Sequence, residues 1–333
     1  MASTGNSVLG RRAAPSRVPG QRGGLGALRA RLIRIDSRET SFDVRGFAPC
    51  PVHVRRRLEW HGECFARGFN SAVAAGSADE LGARLADVEA SERGFAFEGA
   101  AMGLALLDLL VPVRARRLGP FLAGPARPHV YMAHVGAGWA LARLRRRPWG
   151  RLPLDPLLRW LALDGYGFHE TFFDPGRTVR AGRRPRRLRG YELRAFDQGV
   201  GRALWFVDGA DPERIAATVA TFAAERRPEL WSGVGLAATY AGAVSDGGLR
   251  RLAELSRPFA AHAAQGAAFA AKARLRAGNL VAHTERACAA LCGVGAADAA
   301  AVTDRTLESV AADGTAEDYE GWRRAIREAL AQA

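Results

Sequence analysis

The sequence predicts a mainly α-helical fold: two tandem duplicated helical lobes related by a pseudo-twofold axis, followed by a C-terminal helical tail. Three observations predict it. Short matches recur in order at a nearly constant offset, apolar residues recur at helical spacing, and turn-and-cap signatures punctuate both halves. At 333 residues the chain also exceeds the usual size of one compact core.

The matches start at a shift of 131 residues, where Glu39-Thr40-Ser41-Phe42-Asp43 falls on Glu170-Thr171-Phe172-Phe173-Asp174. At the same shift Phe65, Gly68 and Ala72 fall on Phe196, Gly199 and Ala203. One residue further out of phase, Gly103-Leu104-Ala105 falls on Gly235-Leu236-Ala237. Later, Arg127-Pro128 falls on Arg257-Pro258, and Ala142-Arg143-Leu144-Arg145 on Ala273-Arg274-Leu275-Arg276. Ordered matches of this kind argue for duplication. They divide the chain into a flexible arm (1–24), a first lobe (25–150), a second lobe (151–278) and a tail (279–333), with the lobe boundary near Pro148.

The elements follow from local signals. In the first lobe Ser77-Ala78-Asp79-Glu80 has a capping-box pattern ahead of Leu81 and Leu85. The second lobe opens with an apolar helix through Leu157, Trp160 and Leu161. Leu193, Phe196, Val200, Ala203, Leu204 and Val207 then form one buried helical face. Asp208 to Glu213 combines a turn with a helix start, Pro212 sitting where a first turn accepts proline, and Pro228 opens the next helix. From Thr284 to Leu330 the tail alternates alanine-rich helices with glycine turns. Short strands stay open near Ile33, Ile35 and Phe42, where apolar residues alternate.

Charge narrows the partners. The formal net charge is +14, but Lys272 is the only lysine, and such an arginine skew with excess alanine reflects GC-rich coding more than selection for phosphate contacts. No nucleic-acid partner is therefore expected. The arginines still cluster: Arg177, Arg180, Arg183, Arg184, Arg186, Arg187 and Arg189 run without an acid, and Arg143, Arg145, Arg146 and Arg147 form a second knot. A solvated surface and a site for an acidic partner, such as a carrier protein or nucleotide, are the competing readings.

Cys50, Cys64, Cys288 and Cys292 are too few and scattered for a disulfide framework, so free thiols in a reducing cytoplasm are expected. The N-terminus lacks the apolar core of a secretory signal. The longest uncharged stretch, Leu230 to Ser245, is too short to cross a bilayer. No HExxH, P-loop, GxSxG elbow or dinucleotide fingerprint occurs, and a chain without metal, flavin or nicotinamide cofactor is expected.

Duplication makes each half a control for the other: a polar residue where its twin is apolar needs a reason. Glu98, in a phenylalanine-rich segment, falls near Leu230; a carboxyl there has a raised pKa or a buried partner, which is how a general acid is made. The competing reading is a glutamate at a helix end. Asp197 falls on Ala66 and precedes Gln198 in a glycine-containing run. The densest polar run, Asp164-Gly165-Tyr166-Gly167-Phe168-His169-Glu170, gives His169 as acid or base, with Asp164 or Glu170 to orient it. His134, which stands opposite Ala264 or Gln265, joins Tyr166, Glu170 and Gln198 as a substrate-binding candidate. Trp139, Phe168, Trp205 and Trp231 are candidate apolar lining, with structural core as the alternative for each. Glu98 and His169 are expected to face one cavity between the lobes.

The segments Phe97-Glu98-Gly99-Ala100-Ala101-Met102-Gly103, Asp164 to Glu170, and Arg189-Gly190-Tyr191-Glu192 through Phe196-Asp197-Gln198-Gly199 to Leu204-Trp205-Phe206 resemble an actinobacterial family. It is the domain-of-unknown-function family numbered seventeen-oh-two, whose members accompany enediyne polyketide synthases. The resemblance spans about Ile33 to Gly278. It implies action on a hydrophobic polyene, enediyne or anthraquinone-fused polyketide intermediate without a recognisable cofactor. Cyclisation, isomerisation or carbon-carbon bond formation by acid/base catalysis is the enzymatic reading. A noncatalytic binder that sequesters a reactive intermediate or organises pathway enzymes is the alternative.

Overall fold

The computed structural model describes residues 33–110, 116–146, 151–310 and 313–332. The predicted arm and the boundary at Pro148 lie outside them. Seven long helices carry the architecture, linked by shorter ones: α1 (Val52–Ala74), α2 (Ala78–Ala86), α3 (Arg93–Leu110), α4 (Leu118–Ala123), α5 (Val130–Arg143), α6 (Trp160–Phe173), α7 (Tyr191–Val207), α8 (Pro212–Ala220), α9 (Arg227–Ala241), α10 (Asp246–Leu255) and α11 (Ala260–Arg276). The long helices pack each on the next in chain order, α1 on α3, α3 on α5, and so on through α6, α7 and α9 to α11. The tail adds α12 (Ala282–Cys292), α13 (Ala296–Leu307) and α14 (Ala316–Ala331), all against α11. Among the described residues there is no strand, and no single helix is long and apolar enough to cross a membrane.

Local chemistry sets the starts. Ser77 Oγ accepts from the Glu80 amide at 3.1 Å, and Asp211 Oδ1 accepts from the Glu213 and Arg214 amides ahead of α8. Pro212 and Pro228 sit in first turns, where the missing N–H costs nothing. The strands left open near Ile33 and Phe42 do not form. Asp36 caps a 3-10 turn (Ser37–Thr40), and Ser41 caps a single helical turn (Phe42–Arg45). The matched pentapeptides therefore differ in local structure, since Glu170 to Phe173 closes α6.

One succession occurs twice in the chain: long helix, short helix, 3-10 turn, long helix, short helix, 3-10 turn, long helix, from α1 to α5 and again from α7 to α11. The anchoring details recur with it. Arg93 donates to the carbonyls of Val88 and Ala86 at 2.9 and 2.8 Å, and Arg227 to those of Phe222 and Ala220 at 2.8 Å each. α6 stands between the two runs and packs on both α5 and α7.

The backbones meet through glycines. A Cβ on Gly199 would lie 1.8 Å from the Asp164 carbonyl oxygen, and one on Gly136 would lie 1.9 Å from that of Glu98. Gly266 takes the place of Gly136 against Ser232. The packing thus sets Glu98 opposite Ser232, while Ala96, facing Gly68, corresponds to Leu230, facing Gly201. This corrects the pairing of Glu98 with Leu230. By the same rule Gln198 faces Gly233 as Phe65 faces Gly99, so Asp197 stands opposite Cys64, not Ala66. The slip arises because the pentapeptides that set the 131-residue offset are not equivalent in structure, whereas Phe65 and Gln198, 133 apart, are, and the one-residue-longer linker of the second run adds one more before Glu98 and Ser232. We expect Gly199→Ala to force α6 and α7 apart, a loss of about 1–3 kcal/mol or more in urea unfolding; a melt that matches wild type would refute the close approach.

Candidate functional site

α3 is buried without interruption from Gly94 to Leu107, and α5 and α6 are buried over most of their length. A helix apolar all round has no outward face, so any charge on it must be answered inside the protein. Five residues answer one another at the centre. The Trp139 indole N–H donates to Glu98 Oε1 at 3.0 Å, and Arg202 Nη2 lies 3.7 Å from the same oxygen. Arg202 Nη1 donates to Asp164 Oδ1, whose other oxygen accepts from Gln198 Nε2 at 2.7 Å. Glu98, Asp164 and Gln198 are at most 2% exposed, and Arg202 Cζ stands over the Phe168 ring, 5.0 Å from its centroid.

The network continues outward. Ser232 Oγ lies 3.3 Å from Gln198 Oε1 and 3.0 Å from Gln265 Oε1. Arg323, fully buried on α14, donates to Gln265, Ser232, Glu229 and the Tyr191 hydroxyl. Glu229 also pairs with Arg194, which reaches solvent. A continuous polar line therefore runs from Glu98 to the surface, built from five long helices and the tail.

Two small cavities meet at Arg202. One is lined by Phe65, Phe95, Glu98, Trp139, Phe168 and Phe206 among others; the other includes Val135, Leu161, Asp164, Leu236, Tyr240 and Phe269. Each offers about 40 Å³ to a water-sized sphere, room for water but not for an extended polyene. Burial pushes the Glu98 carboxyl up to about 7, and the Asp164 carboxylate adds to this, while Arg202 and the Trp139 N–H pull the other way. The result is an acid half-protonated near neutrality, with donors already facing the anion it would become. The Tyr240 hydroxyl, buried against Gly94, has no hydrogen-bond partner among the described residues, and burial lifts it to about 12.

The other predicted residues scatter. Asp197 lies on a different face of α7 from Gln198's partner set and is clamped by Arg226 (2.6 Å) and Arg184; it is committed to holding the loop before α7. His169 does not line the Glu98 cavity. The Trp139 ring stands beside both, bonded to Glu98 and edge-on to His169 at 5.6 Å between centroids. Burial, with Arg143 adding to it, drives His169 down to about 3, so it is neutral and a very weak base. His134 is satisfied on both sides: Nδ1–H donates to the Val130 carbonyl at 2.8 Å and Nε2 accepts from the Asp155 amide at 3.0 Å. It is a structural pin. Trp205 donates to the Gly242 carbonyl at 2.9 Å, and Trp231 is buried outside both cavities, so neither indole is lining.

Tyr166 and Glu170, one turn apart on α6, point away from the centre into a wider cleft of about 650 Å³, whose rim is Arg145, Arg177, Arg183, Arg184, Arg186 and Arg187. Glu170 pairs with Arg177. Arg147 of the second arginine knot lies outside the described residues. The sequence reading missed Arg202, Arg323, Glu229 and Tyr240 altogether. An arginine set among glycines and alanines at Gly199-Val200-Gly201-Arg202-Ala203 is the one local signal that could have flagged the first; Arg323 looks like any charge on an amphipathic tail helix.

Among the described residues no three His, Cys, Asp or Glu side chains come together as a metal site. Residues 24–330 match the family model described as a protein of unknown function, DUF1702. No curated protein and no solved structure matches the chain.

Proposed function

From the premise that the chain belongs to the DUF1702 family, we propose that it is a cofactor-independent enzyme that moves a proton on a conjugated, apolar small molecule, with Glu98 as the acid. The enediyne or related polyketide intermediate implied by the sequence resemblance is the substrate class. The carrying observation is a carboxyl held near neutral pKa in an aromatic cavity, with Arg202 beside it. A protonated Glu98 can deliver its proton to an unsaturated carbon, and the carboxylate left behind meets the Trp139 N–H and the Arg202 guanidinium. Ring faces of Phe65, Trp139 and Phe168 suit a flat substrate and keep water out. Acid-initiated isomerisation, cyclisation or bond formation between carbons can begin with this step, and the cation it makes is discharged when a neighbouring carbon returns a proton to the Glu98 carboxylate.

Substrate entry requires the cavity to widen. Thr40, on the 3-10 turn Ser37–Thr40, forms part of its wall and presses on Gly62, so this segment is the one proposed to move. The twice-occurring succession with its paired Arg93 and Arg227 anchors supports an internal duplication, in which Glu98 and Ser232 diverged from a buried position common to both halves. The test is incubation of the purified protein with conjugated polyketide intermediates in deuterium oxide, without added metal or cofactor. Turnover with one deuterium placed on carbon is expected; unchanged substrate across the class would count against catalysis. The second reading, a noncatalytic binder, is favoured by one fact: the arginine-lined cleft is far roomier than the cavity at Glu98.

A further inference from the structure

We propose that the arginine cleft is a binding site for the phosphate or diphosphate group of a small molecule, separate from the cavity at Glu98. α6 divides the two: Tyr166 and Glu170 face the cleft, while Phe168 and Phe172 face the aromatic cavity. Anion binding in this cleft is independent of any catalysis at Glu98.

The cleft is built. Arg226 donates to the Gly182 carbonyl at 2.9 Å while holding the buried Asp197, which also fixes Arg184; Glu170 fixes Arg177. The arginine-rich loop is thereby tied to the core at three points. Two guanidiniums are held in place by carboxylates, and Arg145, Arg183 and Arg186 are exposed and have no carboxylate partner among the described residues. Six arginines thus surround one glutamate. Such an excess repels itself unless an anion fills the space. Tyr166, only 1% exposed, brings a phenol to the floor, bonded to Arg187.

Arg145 supplies an independent observation. It has φ 51, in the left-handed region, and its neighbour's amide closes back on Leu141 at 2.9 Å, the usual helix-ending turn. At the end of α11 the same turn, with Asn279 closing on Arg274, has Gly278 at φ 63. Glycine fits there without strain, so an arginine in the strained position, aimed into the cleft, is held for its side chain.

The ligand chemistry follows from the donors. Guanidinium forks bind phosphate oxygens two at a time, and three uncommitted forks call for more than one negative charge. The volume of about 650 Å³ fits a small molecule. No exposed ring lines the cleft for bases to stack on, which argues against nucleic acid.

The test is calorimetric titration of the full chain with inorganic pyrophosphate, with sodium sulfate as the control at matched ionic strength. Pyrophosphate is expected to saturate at one site, at least tenfold more tightly than sulfate, and Arg183→Ser with Arg186→Ser to weaken it tenfold or more. Arg145→Gly should weaken pyrophosphate while raising the unfolding temperature, since it removes both a donor and backbone strain. A nucleoside diphosphate and a short alkyl diphosphate, run in parallel, should each bind at least as tightly as pyrophosphate. Equal binding of sulfate and pyrophosphate, wild-type affinity in the variants, or binding only when the organic group is present would overturn the proposal.

Discussion

Glu98→Gln should abolish turnover of a conjugated substrate, lowering kcat by about 100-fold to 10,000-fold, the range a positioned proton donor contributes, while the protein stays folded. Glutamine keeps the shape and can still accept from the Trp139 N–H, but it has no acidic proton. Stability should shift in a pH-dependent way that activity data cannot mimic. The folded pKa of Glu98, about 7, lies above the ordinary glutamate value of 4.5, so burial favours the protonated form. Its contribution is therefore fully present below pH 4.5 and is lost as pH rises through 7. Ionising it in place costs roughly 3 kcal/mol, at about 1.4 kcal/mol for each tenfold change in proton affinity. Glu98→Gln escapes that cost. Its urea midpoint should gain on wild type between pH 5 and 8, and parallel pH profiles for the two proteins would show that Glu98 is not the raised acid.

Arg323→Met should be the most destabilising change remote from the cavity, by about 3–5 kcal/mol, as expected when one partner of a buried ion pair is removed. It strips donors from Glu229, Gln265 and the Tyr191 hydroxyl at once. Arg194 continues to pair with Glu229 from the surface, which places the loss toward the lower end. Adding Glu229→Gln should recover part of it, since a neutral amide is easier to bury than an unpaired carboxylate. Glu229 is held below the usual carboxylate range against its burial, by Arg323 first and Arg194 second, and Glu320 is held at about 2. Both therefore contribute stability above about pH 4.5 that is lost as pH falls toward 2, and Arg323→Met should move acid unfolding to higher pH. Urea melts of the single and double variants decide it: a single-variant loss under about 1 kcal/mol would mean the network is not needed for the fold.

Helix was legible because it is written locally. The spacing of Leu193, Phe196, Val200 and Ala203 gives α7, Ser77 and Asp211 give helix starts, and Pro228 sits where a first turn tolerates it. The short strands expected near Ile33 and Phe42 were decided instead by Asp36 and Ser41, whose side chains take amides that a strand would have paired elsewhere. Glu98 could be singled out because a carboxylate in an apolar run is costly wherever it lies, and Asp164 because it stands in a dense polar run beside His169. What each carboxylate meets could not be read off, because the partner is a long-range matter. Arg202 stands 104 residues beyond Glu98 and 38 beyond Asp164, and it is a succession of glycine-close contacts, α5 on α3 at Gly136, α5 on α6 at Gly138 and α7 on α6 at Gly199, that brings them together.

The same reason separates His169 from Glu98. Both looked like acid or base candidates by type, but the tertiary structure puts an indole beside both and buries the imidazole without a partner, which lowers its proton affinity. Tyr166 and Glu170 were picked for one site and belong to another, because residues four apart on a helix share a face and that face of α6 looks onto the arginines. The sequence by itself determined helical class, where several helices begin, and that buried carboxylates require answering groups, since these follow from backbone capping, apolar periodicity and the desolvation of charge. Only the tertiary structure decided which groups answer them, because the depth of a side chain and its distance from a charge are set by how the helices pack.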